Sequence, residues 1–192
     1  MQNSSEKSRK YTTPARLLHW LMAIIWIAVW IIGYVAVTWR DEINPQHGLT
    51  TAHKALASTL LFLIVLRIFW RLTHRPPALP DSMSPLMQRA AHWGHLFLYA
   101  FALIAMPLSG WLWSSVAGKP ITVLWLFPLP PLVDANPDYY PLMKDIHVTL
   151  AYFTGALVLG HILVALKHAI IDKDGVLQSM LSDRHTSSGR KK

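Results

Sequence analysis

Histidines placed within apolar stretches are the residues of this chain best suited to chemistry. The segment 145–172, DIHVTLAYFTGALVLGHILVALKHAIID, is long enough to cross a bilayer and contains His147, His161 and His168. Ionisable residues inside a membrane are rare and usually serve a function. At about 100° and 1.5 Å per residue, His147 and His161 lie within about 40° of one helix face and about 21 Å apart. This spacing predicts one imidazole near each side of a hydrocarbon core about 30 Å thick.

Histidines in the other apolar segments fall at the same two depths. A single histidine in a membrane helix can be a hydrogen-bonded packing residue, but a set at two matched depths favours a cofactor. Two imidazoles at each depth are what two haems with two axial ligands each require, held in the core of a helix bundle. The outer set is His53 and His147, and the inner set is His19, His95, His161 and His168; His47, His74, His92 and His185 fall at span ends or outside.

Depth also predicts how the histidines pair. His53 pairs with His147 on the outer side, and His19 pairs with His161 on the inner side. His95 is the rival inner ligand, so the inner pairing stays open. We therefore expect these four axial histidines to bind haem iron.

His168 lies one heptad beyond His161 and about 31 Å from His147. At that depth, close to the headgroups, it is too far out to share a haem with His19. A neutral imidazole there can hydrogen-bond a quinone carbonyl and pass a proton to it. The alternative is a hydrogen bond to a haem propionate or to an interfacial water.

Other metal or proton chemistry fits the pattern less well. Zinc favours a compact tetrahedral cluster rather than two levels about 20 Å apart. Proton relays usually include carboxylates, and no Asp or Glu lies inside an apolar span. The chain has no cysteine, which excludes disulfides, iron–sulfur ligation and covalent haem attachment through this chain.

The elements that must position these histidines are membrane helices. The chain has 192 residues, of which 53% are hydrophobic, and nine are tryptophan; this composition indicates a membrane protein. We predict an all-α integral membrane protein with a bundle of four transmembrane helices. The predicted spans are 16–38, 51–72, 92–116 and 145–171, within one domain at 16–172 that follows an N-terminal tail at 1–15 and precedes a basic tail at 173–192.

The distribution of charge predicts the orientation of the bundle. The net charge is +8, but the two termini and the second connection together hold 14 of the 18 Lys and Arg against five of the ten acids, a net charge of +9. The opposite side has a net charge of −1. This is the positive-inside pattern, so both termini are expected to be cytoplasmic. The same distribution argues against a nucleic-acid partner and makes lipid the immediate environment.

Several cations lie close to the histidine sets. Arg67 lies a turn deeper than the end of its span and could pair with an internal anion, and Arg16 lies near the cytoplasmic interface. Both arginines are possible contacts for a quinone or a haem propionate. On the outer side, Lys54 follows His53, and Lys144 lies three residues before His147. These two lysines could hold haem propionates or attract a small anion.

Two further features concern the connections and the shape of the third span. Pro107 and Gly110 allow a kink in that span. The connection 117–144 is apolar and broken by prolines at its centre, so it is not expected to form another span. Cover over the outer mouth of the bundle and a loop lying in the membrane interface are equally consistent with its sequence.

Motifs along the chain resemble those of the bacterial cytochrome b561 family. They are RLLHW in the first span, VLRIFWRL at the end of the second, HWGH at the start of the third, GKPI before the long connection, and DIH with HILVALKHAIIDKD in the fourth. The resemblance covers nearly the whole chain except the termini. It implies a four-helix bundle with two haem b groups, axial ligands at His19, His53, His147 and His161, and His95 and His168 near the inner haem for quinone or propionate contacts.

The expected activity is electron transfer across the membrane. Two imidazoles per iron leave no open position for oxygen, so the haems should pass electrons rather than activate a ligand. The quinone pool, with ubiquinone as the expected substrate, is one terminus; the other is a small-molecule or protein donor on the periplasmic side. Some bacterial relatives are superoxide:ubiquinone oxidoreductases, which makes superoxide a candidate donor. The alternatives are a cytochrome b subunit of a multi-subunit dehydrogenase and a haem-free transporter or assembly protein.

Overall fold

The computed structural model describes residues 10–80 and 83–181. The first nine residues of the predicted N-terminal tail lie outside this part of the chain. The same is true of His185 and the rest of the basic tail from residue 182 onward.

The described chain is built mainly from four helical stretches that are long and apolar enough to cross a membrane. This agrees with the predicted four-span, all-α architecture. The elements in chain order are α1 (Thr13–Thr38), α2 (Arg40–Ile43), α3 (Gly48–Thr73), α4 (Pro85–Phe97), a π-helical segment (Leu98–Ala105), α5 (Met106–Val116), β1 (Ile121–Val123), β2 (Phe127–Leu129), a 3₁₀ turn (Pro137–Tyr139), α6 (Tyr140–Lys167), a second π-helical segment (His168–Asp172) and α7 (Val176–Met180).

The helices begin earlier than the predicted spans do. The third helical stretch starts at Pro85 instead of residue 92, because Ser84 accepts a hydrogen bond from the Met87 N–H and proline suits a first helical turn. The fourth stretch starts at Pro137 instead of residue 145. In both cases the added turns are polar or amphipathic, so hydropathy alone marks only the part of each helix that lies in the apolar core.

The third stretch contains a π-helical segment, Leu98–Ala105, just before Pro107, at the place where the sequence allowed a kink. Its register is set by the Met106 N–H, which donates to the Phe101 carbonyl five residues earlier. The next carbonyl, that of Ala102, would pair with residue 107, but proline has no N–H. The indole N–H of Trp26 donates to this carbonyl at 3.0 Å. α1 thus satisfies the backbone group that the proline leaves without a partner, which a membrane interior requires.

A small apolar core holds the middle of the bundle together. Met22 and Trp26 of α1 pack against α3 and the first π-helical segment; the buried cluster is Met22, Trp26, Leu60, Ile64 and Ala102. A turn further along α1, the Trp30 indole N–H donates to the Ala151 carbonyl of α6 at 2.8 Å. This core lies between the levels of His19 and His53, and it therefore separates the two histidine sets.

The long outer connection contains a two-stranded hairpin and no further span among the described residues. β1 and β2 pair antiparallel, with Thr122 opposite Pro128. The Leu124 N–H donates to the Ala55 carbonyl of α3, and the Phe127 ring contacts Phe62 further along the same helix. The hairpin therefore lies along α3.

The described part of the C-terminal tail folds back onto α1. The Tyr11 N–H donates to the Ser179 carbonyl, and the Trp20 indole N–H donates to the Met180 carbonyl at 2.8 Å. Arg16 donates to the Leu181 carbonyl at 2.6 Å. Arg16, which the sequence suggested for a propionate or quinone contact, is thus engaged in holding the tail against α1.

Candidate cofactor site

The outer histidines, His53 of α3 and His147 of α6, face each other as predicted. Their ring centres are 6.2 Å apart and their planes are nearly perpendicular, at 87°. Two imidazoles bonded to opposite sides of one metal ion, at about 2.0 Å per bond, have ring centres roughly 6.3 Å apart. The outer pair therefore has the spacing of two axial ligands on one metal.

Hydrogen bonds fix the outer rings in the tautomer that a metal needs. The His53 Nδ1 lies 2.9 Å from the Val29 carbonyl, which can only accept, so Nδ1 carries the proton. The His147 Nδ1 lies 2.9 Å from the Ser109 hydroxyl, and that hydroxyl donates its own hydrogen to the Met106 carbonyl. Ser109 therefore accepts from His147. Both rings keep the Nε2 lone pair for a metal, with the other nitrogen held by the protein.

Two glycines make room for the outer rings. A Cβ on Gly33 of α1 would come within 2.8 Å of the His53 ring, and a Cβ on Gly110 of α5 within 2.9 Å of the His147 ring. Contacts that short do not occur between real side chains, so each ring sits where only glycine allows it. Gly110 was considered only as a kink residue in the sequence, and Gly33 was not identified there.

Trp113 is the second residue that the sequence did not identify. Its ring centre lies 5.6 Å from that of His147. Its indole N–H is buried and finds no hydrogen-bond partner among residues 10–80 and 83–181. A buried donor without a partner is costly. This donor beside the outer pair is thus available to an acceptor on a bound group. The sequence feature that could have identified Trp113 is its position three residues after Gly110, on the same face of the helix.

The outer lysines have different surroundings. Lys54 donates to the Ser114 hydroxyl at 2.9 Å and to the Pro120 carbonyl at 3.0 Å, so it also ties the GKPI segment to α3. These partners are neutral, and the positive charge next to His53 therefore remains. Lys144 is exposed near the start of α6, one turn before His147.

Three inner histidines come together. The ring centres of His19 (α1) and His161 (α6) are 6.3 Å apart, the same spacing as in the outer pair. His95 of α4 is 5.5 Å from His161, closer than two ligands on opposite sides of a metal would be. Spacing thus favours His19 with His161, the pair predicted by depth. The two pairs lie at levels about 21 Å apart, because His147 and His161 share the unbroken helix α6.

The hydrogen bonds of the inner set differ from those of the outer set. His95 donates its Nδ1–H to the Ala91 carbonyl at 2.7 Å, which leaves its Nε2 lone pair available. The His19 Nδ1 lies 3.4 Å from Arg67 Nη2, and an arginine can only donate. To bind a metal through Nε2, His19 must carry its proton on Nδ1, and it would then lose the contact with Arg67. Ring spacing therefore favours His19 as the partner of His161, whereas the available Nε2 lone pair favours His95.

Arg67 connects the inner histidines to the third helical stretch. Its Nε donates to the Tyr99 hydroxyl at 2.8 Å, and its guanidinium lies 5.5 Å from the centre of the Tyr99 ring. This places a half-buried cation beside His19. The internal anion expected for Arg67 stays a prediction, because its partners among the described residues are neutral.

His168 does not lie open at the membrane edge, the position that its distance from His161 suggested. The residue is only 4% exposed, because the second π-helical segment and the turn after it surround the ring. The Nδ1–H donates to Asp174 Oδ2 at 2.6 Å and lies 3.1 Å from Asp172 Oδ2. This histidine–aspartate pair was not predicted from the sequence.

Comparison with known proteins identifies the family of the chain. The model of prokaryotic cytochrome b561 matches residues 10–183. The chain belongs to the prokaryotic cytochrome b561 family. Cytochrome b561 homolog 2 of Escherichia coli K12 is 35% identical over 94% of this chain and 95% of its own length. The probable superoxide oxidase CybB of Yersinia pestis is 26% identical over 90% of this chain and 96% of its own length.

Family membership confirms the predicted family, the membrane bundle of helices and the role in electron transfer. The chain is a bacterial membrane protein of electron transfer, and its family implies haem b. The histidine donors fit that group, because haem iron accepts two imidazole nitrogens on opposite faces. Ring spacing, the Nε2 lone pairs of the outer histidines and the orphan donor of Trp113 all agree with such a group at the outer site.

Proposed function

We propose that this cytochrome b561 binds two haem b groups and transfers electrons across the bacterial inner membrane between an outer donor and the quinone pool. His53 and His147 would hold one haem, and His19 and His161 the other. The observation that carries this proposal is that both pairs have the spacing of two axial ligands, 6.2 and 6.3 Å between ring centres. Haem supplies reversible one-electron chemistry, and two imidazoles leave no iron position for oxygen.

On the outer side, the residues of the chain orient the haem and attract an anion. The Val29 carbonyl and the Ser109 hydroxyl fix the His53 and His147 rings. The Trp113 N–H is suited to donate to a haem carboxylate. Lys54 and Lys144 add positive charge that no described carboxylate neutralises.

Superoxide is the donor that this arrangement favours. It is a small anion, and the local cations suit it although the outer side as a whole has a net charge of −1. The relative from Yersinia pestis is named a probable superoxide oxidase. Two superoxide ions would give up one electron each and leave as oxygen, while one quinone takes up both electrons and two protons.

On the inner side, Arg67 and His95 are the groups placed to contact quinone, and His168, which is buried, would act on the protons of the reaction rather than hold the quinone. Arg67 and His95 lie beside the inner pair, and His95 is exposed, so a lipid-soluble molecule can reach it. The excess of basic residues at this end of the bundle supports a cytoplasmic location for the quinone reaction.

Haem content tests the proposal directly. Haem quantitation on the purified protein should give two haems per chain, and acid–acetone should extract both because the chain has no cysteine. His53→Ala or His147→Ala should remove one haem and leave the other. A colourless protein, or a stoichiometry of one, would contradict the di-haem arrangement. Co-purification of an iron–sulfur subunit would instead favour a dehydrogenase complex.

The donor needs a separate test. Haem-loaded protein with ubiquinone should be reduced by superoxide more slowly as ionic strength rises, because attraction between exposed charges is screened. Lys144→Gln should slow the reaction and flatten its salt dependence, whereas Lys173→Gln at the opposite end should leave both unchanged. A reduction rate independent of salt in the unmodified protein would argue against superoxide attraction by these lysines.

A further inference from the structure

A small basic recess lies at the end of the bundle that carries both described termini. It has a volume of about 50 Å³ and lies between the start of α1, the end of α3, the first π-helical segment and α7. It is outside the two histidine pairs, although Arg67 forms part of its wall. Its lining residues that matter here are Lys10, Arg67, Arg71, His74, Arg75 and Tyr11.

All the charged side chains that line the recess within residues 10–80 and 83–181 are basic. Three arginines and Lys10 line it, and no carboxylate does so among the residues that the structure describes. Arg67 and Arg71 are i,i+4 neighbours on α3, and Arg75 follows just after that helix ends. Clustered cations repel one another, so a bound anion would stabilise this arrangement.

Contacts that do not involve Arg71 or Arg75 hold the walls of the recess together. The Trp70 indole N–H donates to the Thr12 hydroxyl at 2.9 Å, which ties α3 to α1. The His74 ring stacks on Trp70 with centres 3.8 Å apart. Arg71 and Arg75 are exposed, and neither guanidinium has a hydrogen bond or ion pair with a residue in 10–80 or 83–181. Their planar N–H groups are therefore available for an oxyanion.

We propose that this recess binds the phosphate group of an anionic ligand, supplied in the membrane by a lipid headgroup. Its volume of about 50 Å³ corresponds to only a few water positions, at roughly 10 to 15 Å³ each. That space suits the oxygens of one phosphate. Basic recesses between helix ends on the cytoplasmic side are suited to anionic lipids. The site goes beyond the proposed electron transfer and does not depend on it.

The test compares two variants of the haem-loaded protein. Arg71→Gln/Arg75→Gln removes two lining cations, and Arg89→Gln removes an exposed arginine of α4 that does not line the recess. Native mass spectrometry would measure retained phosphatidylglycerol, and a titration would measure inorganic phosphate. The double variant should bind phosphate groups about 30-fold more weakly, at about 1 kcal/mol per arginine and 1.4 kcal/mol per tenfold. Arg89→Gln should bind like the unmodified protein.

The two probes separate the sources of the phosphate. One phosphatidylglycerol per chain, with weak binding of inorganic phosphate, identifies a lipid headgroup; the reverse identifies a soluble phosphate. Equal retention by both variants would overturn the proposal. So would loss of haem, or shifted haem absorption bands, in the double variant alone, because the recess would then serve the haem propionates.

Discussion

The imidazole of His53 occupies the space where Gly33 would carry a side chain. A Cβ on Gly33 would come within 2.8 Å of both Cε1 and Nδ1 of that ring. Val29, one helical turn earlier on α1, supplies the carbonyl that accepts the Nδ1–H. α1 therefore orients His53 in two ways: Val29 accepts its hydrogen bond, and Gly33 leaves space for its ring.

We predict that Gly33→Ala lowers haem content to one per chain by displacing His53. Alanine is the better helix former by about 1 kcal/mol, so loss of haem could not be attributed to a weakened helix. Gly160→Ala on α6 is the matched control, because nothing lies within 4 Å of a Cβ built there. It should keep both haems. Full haem content in Gly33→Ala would show that the ring can move without losing its metal.

Trp26 provides a test of stability rather than of haem binding. Trp26→Phe removes the donor to the Ala102 carbonyl, which Pro107 already deprives of a backbone partner. We expect a loss of about 1 to 2 kcal/mol in the free energy of unfolding, measured by denaturation in detergent. Trp93→Phe, at a site that is 56% exposed, should cost much less. Equal effects of the two changes would argue against this role of the indole.

The residues that could be identified from the sequence are those that are energetically unfavourable in a membrane. Histidines are conspicuous in an apolar segment, and the constant rise of a helix converts their spacing into depth. His53 with His147 and His19 with His161 came together in the structure as that calculation predicted.

Residues that act through contacts between helices could not be predicted in this way. Ser109, Gly33 and Trp113 are ordinary residues of membrane helices, and their roles depend on which face each helix turns toward a neighbour. His168 shows the same limit. Its depth was predictable, but its burial depends on a π-helical segment and on the turn that brings Asp174 back to it.

The inner pair can be resolved by two single substitutions. Because spacing favours His19 with His161, His19→Ala should lose the inner haem, whereas His95→Ala should keep two haems and a bis-histidine electron paramagnetic resonance signal. His92→Ala, on the same helix as His95 and exposed, is the control. Loss of a haem in His95→Ala with full retention in His19→Ala would assign the ligand role to His95, whose Nε2 lone pair is already available.

The His168–Asp174 pair gives the last prediction. Since the Nδ1–H donates to Asp174, the neutral ring presents Nε2 as a proton acceptor, which suits a group that takes a proton from quinol or returns one to quinone. His168→Ala should keep both haems and an unchanged absorption spectrum. It should slow electron exchange with quinone about 100-fold, the scale of general acid–base catalysis.

Asp174→Asn is the informative partner of that variant. The amide oxygen can still accept the Nδ1–H, so the ring keeps its orientation but no longer has a carboxylate as its hydrogen-bond partner. Its rate should fall between those of the unmodified protein and His168→Ala. If His168→Ala lost a haem, the ring would be a ligand. If it kept the normal rate while melting at a lower temperature, His168 would serve only to fix the turn that brings α7 against α1.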